Sequence, residues 1–209
     1  MRKIGMLFLG IVLLLAACGT SGNTNSDGIS ANGTNGDFNN AADITDIVAE
    51  YEVQQTSDEV TEGDFIFHLV SEKDEYKEGE EVEMYGEIEY IGEKDKIDIF
   101  HSSSAIFFHL KEEVRGYDIG YAVEDIGLTT TLKKGEPYRE DFQKSGGYSE
   151  NQDPKDYVDF MKKLFDMEGL PVGYYTVKGQ TDFYVKGESE DELGEKIQLQ
   201  SEIDFKVIE

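Results

Sequence analysis

Lys196–Ile208 (KIQLQSEIDFKVI) is the stretch that decides the fold class. Ile197, Leu199, Ile203, Phe205 and Val207 share one face of an extended segment, and Lys196, Gln198, Gln200, Glu202, Asp204 and Lys206 share the other. Successive side chains of a strand point to opposite faces, so this pattern specifies a strand with one buried and one solvated side. The same period recurs upstream. Phe65, Phe67 and Leu69 alternate with Ile66, His68 and Val70, and Val82, Met84, Gly86, Ile88 and Tyr90 alternate with Glu81, Glu83, Tyr85, Glu87 and Glu89. Lys73–Glu80 (KDEYKEGE) reads as the turn between these two. Ile97, Ile99, Ala105–Leu110 (AIFFHL), Leu128–Leu132 (LTTTL), Tyr138–Phe142 and Tyr174–Val185 (YYTVKGQTDFYV) extend the series, and Lys186–Glu195 (KGESEDELGE) is a polar loop into the final strand.

One helix interrupts the strands. Asp153 is placed as an N-cap with Pro154 at the first helical position. Tyr157, Phe160, Met161, Leu164 and Phe165 then recur at helical spacing over about 154–166. Gly169 ends the helix and Pro171 prevents its resumption. Asp43–Gln55 (DITDIVAEYEVQQ) reads either as a helix or as a peripheral strand. Seven or eight short strands separated by turn signals predict a mainly β chain. The expected fold is an immunoglobulin-like (Ig-like) antiparallel β-sandwich with one inserted α-helix, over residues 43–209.

The amino terminus has a different character. Arg2 and Lys3 precede an apolar run from Ile4 to Leu15, followed by Ala16, Ala17 and Cys18. Charged start, apolar run and small residues form a secretory signal over 1–17. The run is about twelve residues, short of the 20 or so that a spanning helix needs, and no later run is long enough. Leu15-Ala16-Ala17-Cys18 resembles the lipobox of bacterial lipoproteins. That resemblance implies a diacylglycerol on the Cys18 thiol, cleavage just before it, and a further acyl chain such as palmitate if the new amino terminus is acylated. Two or three chains make a stable anchor where one holds weakly. Cys18 is the only cysteine, which excludes an intramolecular disulfide. Residues 18–42 are rich in Gly, Asn, Ser and Thr without hydrophobic period and read as a flexible tether, spanning roughly 25–30 Å. The expected location is the extracytoplasmic face of the cell membrane.

Charge narrows the partners. Beyond the leader, 17 basic residues face 45 acidic ones, a net charge of −28. Such a surface repels nucleic acid and anionic headgroups, so no nucleic-acid partner is expected and the lipid must hold the membrane. Twelve Tyr and twelve Phe set the chain apart from acidic disordered sequences, which lack aromatics.

His68, His101 and His109 are the residue type zinc and copper prefer, yet none sits in a ligand-spaced pair. His101-Ser102-Ser103-Ser104 puts hydroxyls beside an imidazole, but adjacent residues do not converge as a triad does, so the segment reads as a polar loop. Glu78–Glu83 and Glu188–Glu195 are acidic enough to attract calcium but lack the spacing of a calcium loop. Phe107, Phe108, Tyr117, Tyr121, Tyr148, Tyr174 and Tyr175 supply either core or a recognition face. No catalytic residues, metal ligands or cofactor are assigned.

A second resemblance lies within the domain. Asp74–Val82 (DEYKEGEEV), Leu132–Glu136 (LKKGE) and Leu170–Val177 (LPVGYYTV) resemble turn and strand motifs of the BsuPI family, the intracellular proteinase inhibitor type of Ig-like domain. The likeness spans about residues 64–185. It implies an Ig-like fold and an inhibitor-like way of engaging a protein. The chain departs from the pattern in its helix, in having no Trp after Gly135-Glu136, and in carrying an export signal. The expectation is therefore a lipid-anchored, non-catalytic module that contacts a cell-envelope protein. A small-solute or divalent-cation-binding lipoprotein is the first alternative, and an envelope enzyme the last.

Overall fold

The alternating segments become two packed sheets in the computed structural model, which describes residues 41–187, 189 and 192–209. The elements run α1 (Ala41–Glu50), β1 (Ser57–Glu62), β2 (Phe65–Ser71), β3 (Glu75–Lys77), β4 (Met84–Tyr90), β5 (Lys96–Glu112), β6 (Tyr117–Ile119), β7 (Leu128–Lys133), β8 (Tyr138–Asp141), α2 (Lys155–Asp166), β9 (Gly173–Lys186), β10 (Leu193–Ile197) and β11 (Gln200–Ile208). The first sheet has the order β1-β2-β4-β8 and is antiparallel. The second runs β3-β11-β9-β5-β6, with β10 on β9 and β7 on β5. The sheets pack face to face as an open sandwich. Phe65, Phe67, Leu69, Met84, Ile88 and Tyr90 from the first meet Ile106, Phe108, Val177, Phe183, Ile203 and Phe205 from the second.

Alternation works in β2 and β4 because only one face of each is covered; both bury every second residue. Gly86 sits where a side chain has no room: a Cβ there would come within 2.9 Å of the Ile106 side chain on the facing sheet and 3.1 Å of Phe67 on the neighbouring strand.

Several expectations need correction. The second sheet is mixed, because β3 lies parallel to β11. The turn expected at Lys73–Glu80 contains β3, held by Tyr76, whose buried hydroxyl lies 2.9 Å from Ser71 Oγ and donates to Glu83 O. Lys196–Ile208 is two strands, broken where Leu199 N–H donates to Thr181 Oγ1 at 2.8 Å and Thr181 N–H to Leu199 O at 2.9 Å. The second of these strands extends the buried side of the sheet at Ser201 as well, and β10 begins at Leu193, inside the expected loop. β5 runs unbroken through the segment expected as a polar loop at Ser102–Ser104. Its pairing with β9 shifts register between His101 and Ile106, which makes the serines a bulge. The short edge strands β1 and β6 carried too few apolar residues to stand out.

Of the two readings of Asp43–Gln55 the helix is the one found, as α1 up to Glu50; residues 51–55 form no strand and lie against β11, where Asp204 N–H donates to Gln55 O. The helix α2 starts one residue later than expected, with Pro154 as its cap residue and no side-chain cap bond. The Asp153 carboxylate instead accepts Ser149 N–H at 2.6 Å. At the other end the helix stops at Met167, whose backbone is extended, two residues before Gly169, and Lys144 satisfies the carbonyls there. Its ammonium donates to Leu164 O at 2.8 Å, to Gly169 O at 3.3 Å and to Met167 O, placing a cation on the negative end of the helix. Burial pushes the Lys144 amine below its ordinary value.

Candidate functional site: the open end of the sandwich

Strand register defines two ends of the domain. Phe65 pairs with Tyr90 at one end of β2–β4 and Ser71 with Met84 at the other. Gly173 pairs with Val207 where β9 begins, and β9 ends near the Phe65 ring, which packs edge-on against Phe183 at 5.3 Å. α1 lies at the end where β9 begins, in a small cluster apart from the main core, whereas Phe160, Met161 and Leu164 of α2 join the main core itself. Ile44 and Val48 pack on Val172, with Val114 and Ile208 alongside.

The opposite end is open. A cavity of about 620 Å³ lies between the sheets there. Its floor is Phe65 and Tyr90 from the first sheet and Ile97, Val185, Ile197 and Leu199 from the second. The volume falls within the range of roughly 300–1,000 Å³ typical of ligand sites. Ile91 N–H donates to Asp64 O at 2.8 Å and Lys94 N–H to Tyr90 Oη at 3.2 Å, so the loop after β4 is latched to the β1–β2 turn and shapes the rim.

The rim is acidic. Glu62, Asp64 and Glu195 are exposed and none joins an ion pair among the described residues. Lys196 is already committed to Asp182 at 2.7 Å, and that bond holds its amine above the ordinary value. Lys94 is the cation left on the rim. β10 forms one side wall. It pairs with β9 alone among the described strands, so its outer edge carries unpaired backbone groups.

Elsewhere, polar groups are absorbed by structure. Glu140 on β8 reaches across to the β5 bulge, where its carboxylate accepts Ala105 N–H at 2.9 Å, Ile106 N–H at 3.4 Å and the Tyr138 hydroxyl at 2.8 Å, and contacts Ser104 Oγ. Burial first, and then the bond to Glu140, push the Tyr138 hydroxyl well up. Buried Glu112 accepts Arg115 N–H at 2.9 Å and Val114 N–H at 3.1 Å, and the Arg115 guanidinium lies at 3.1 Å.

The residues singled out in the sequence do not converge. His68 sits on the outer face of β2 with Nδ1 3.2 Å from Glu59. His101 is buried, with Nε2 2.9 Å from Thr130 Oγ1 and Nδ1 2.7 Å from Ser102 O. His109 is exposed on β5 beside Phe107. Among the described residues no group of three or more His, Cys, Asp and Glu is placed to hold a metal ion. In the Glu78–Glu83 segment, Glu78 bonds Lys163 at 2.6 Å and Glu80 bonds Lys73 at 2.5 Å. Part of Glu188–Glu195 and all of 1–40, Cys18 included, lie outside the described residues.

The aromatic set divides as well. Phe108 and Tyr175 are core, and Tyr175 donates to Pro171 O at 2.7 Å. Tyr117 packs on Tyr157 and Phe160 of α2, Tyr121 on Phe108, and Tyr174 on Tyr51, while Tyr148 is exposed near Lys162. They form no common face. The open end itself was missed. Its floor residues read as ordinary strand positions, and Glu62, Asp64 and Glu195 have no spacing that marks them as a rim.

Among the described residues no helix is long and apolar enough to cross a membrane. In comparison with known proteins, no family model and no curated sequence matches the chain.

Proposed function

We propose that this chain is an exported lipoprotein, anchored by a lipid on Cys18, whose Ig-like sandwich is a non-catalytic protein-interaction module on the outer side of the cell membrane. The observation that carries this reading is the opposition of the two ends. The described chain begins in α1, which packs on Val172 at the end where β9 begins. The acid-rimmed cavity lies at the far end, where a tethered domain meets other molecules. A flexible tether attached at the α1 end leaves the acid-rimmed end free to meet a partner.

Two features support the Ig-like and inhibitor-type resemblance as a statement about fold. Gly79 and Gly135, central to two of the resembling motifs, occupy left-handed turn positions with φ of 79° and 72°, which only glycine adopts freely. The third motif enters β9, the strand at the middle of the second sheet.

Lipidation is tested by feeding cells an alkyne-palmitate and treating them with an external protease. The unmodified chain is expected to take the label and be cut from outside, whereas Cys18→Ser takes no label. An unlabelled unmodified chain, or one protected from protease in intact cells and cut only after lysis, overturns the reading.

A further inference from the structure

We infer that the open end takes a short extended segment of a partner protein, bearing lysine or arginine, laid along the outer edge of β10. This deepens the interaction reading and rests on it.

Three observations converge on that occupant. The first is the edge. β10 and β11 both lie on the side of β9 opposite β5, so β10 continues the line of β11. The outer edge of β11 already carries extended chain. Asp204 N–H donates to Gln55 O at 2.9 Å, and Glu202 N–H donates to Asp58 Oδ2 at 3.0 Å. From Ser57 onward this covering chain is β1, which pairs with β2 of the other sheet. The edge of β10 is where that covering stops. Its five residues accommodate a strand of about 17 Å at roughly 3.3 Å per residue, and adding a strand to a free edge is a recurring way of binding peptides.

The second is the floor. Side chains alternate along an added strand, so every second one turns inward over Ile97, Val185 and Ile197, and the cavity of about 620 Å³ has room for them. The third is charge. Glu62, Asp64 and Glu195 stand on the rim without ion-pair partners among the described residues. A basic segment supplies those partners, and its approach is steered by the acidic domain as a whole. A second copy of this chain fits poorly, because it brings the same acids and a net charge of −28 against themselves. An anionic lipid surface is repelled for the same reason.

The test uses the full-length mature chain in detergent and a fluorescein-labelled heptapeptide alternating lysine and valine. Saturable binding is expected, with amide exchange slowed in the segments 62–65 and 193–199. The triple variant E62Q/D64N/E195Q is expected to bind about tenfold more weakly, with its thermal transition checked to show that it folds. A glutamate-for-lysine peptide and a peptide N-methylated at alternate amides are expected not to bind. Binding that is equal in the triple variant, protection spread over the rest of the acidic surface, undiminished binding of the N-methylated peptide, or no binding of the lysine peptide overturns the proposal. Should cross-links from the open end to a cellular protein form while the lysine peptide does not bind, the assigned chemistry is wrong and the interaction reading survives.

Discussion

The Tyr174 hydroxyl donates to the Asp204 carboxylate at 2.6 Å, and the same carboxylate accepts the Gln54 and Gln55 amides, each at 2.8 Å. Asp204 is nearly buried, and Tyr51 stacks on the Tyr174 ring at 4.3 Å. One side chain thus fastens the strap that joins α1 to the sandwich. Asp204→Ala leaves three donors without their acceptor and is expected to cost about 3 kcal/mol. Urea unfolding measures the loss, and hydrogen exchange over 41–56 is expected to rise more than in β9. Tyr174→Phe removes one donor and costs about 1 kcal/mol. A loss confined to the core, with 41–56 unchanged, would show that Asp204 does not hold the strap.

Glu140 plays the corresponding part between the sheets. Glu140→Ala strips the β5 bulge of its acceptor for Ala105 and Ile106 N–H, and is expected to cost about 2–3 kcal/mol. Glu140→Gln keeps an oxygen and costs less. Exchange at the Ala105 and Ile106 amides, read by NMR, locates the damage; protection there in Glu140→Ala equal to that of the unmodified chain would refute the role.

Packing at Gly86 makes a separate forecast. A methyl group there meets the Ile106 and Phe67 side chains at about 3 Å. Gly86→Ala is expected to destabilise by about 1–3 kcal/mol, the ordinary cost of overpacking. Ile106→Val in the same chain is expected to recover part of that loss in a double-mutant cycle. Strict additivity would place the strain elsewhere.

Acid should weaken the contact between α2 and the β3–β4 connection. Burial alone would raise the Glu78 carboxyl, but the bond to Lys163 and the Val172 N–H outweigh it and hold the carboxyl below its ordinary value of 4.5. The unfolded chain therefore binds the proton more readily than the folded one. The stabilisation is fully present above about pH 4.5 and is lost as pH falls through the lower folded value. Glu78→Gln is expected to cost about 1 kcal/mol at pH 7 and almost nothing at pH 2. An equal loss at both pH values would assign the effect to shape and not to charge.

How much of this was legible in the sequence follows from what sets each feature. β2, β4 and β9 were readable because burial on one face writes itself into alternate residues. The α2 stripe was readable for the same reason at helical spacing. Asp204 was placed on the solvated face by that same logic. It is buried because residues 51–56, some 150 positions away in the chain, cover it. No periodicity records such a partner. The bulge at Ser102–Ser104 looked like a loop because local polarity is all the sequence displays, while the acceptor that satisfies it, Glu140, lies on another sheet. The open end was invisible for the opposite reason. Phe65, Ile97 and Val185 carry the signature of core, and only the third dimension shows that the sheets part beyond them.

The opposition of the two ends is tested most directly in intact cells by a photo-reactive amino acid placed singly at Asp64, Glu195, Asp46 or Glu50. The first two positions are on the open rim and the last two are on the exposed face of α1. Irradiation is expected to yield adducts with a discrete envelope protein from Asp64 and Glu195 and none from Asp46 and Glu50. Adducts formed equally from both ends, from α1 alone, or from no position would contradict a binding end at the open rim.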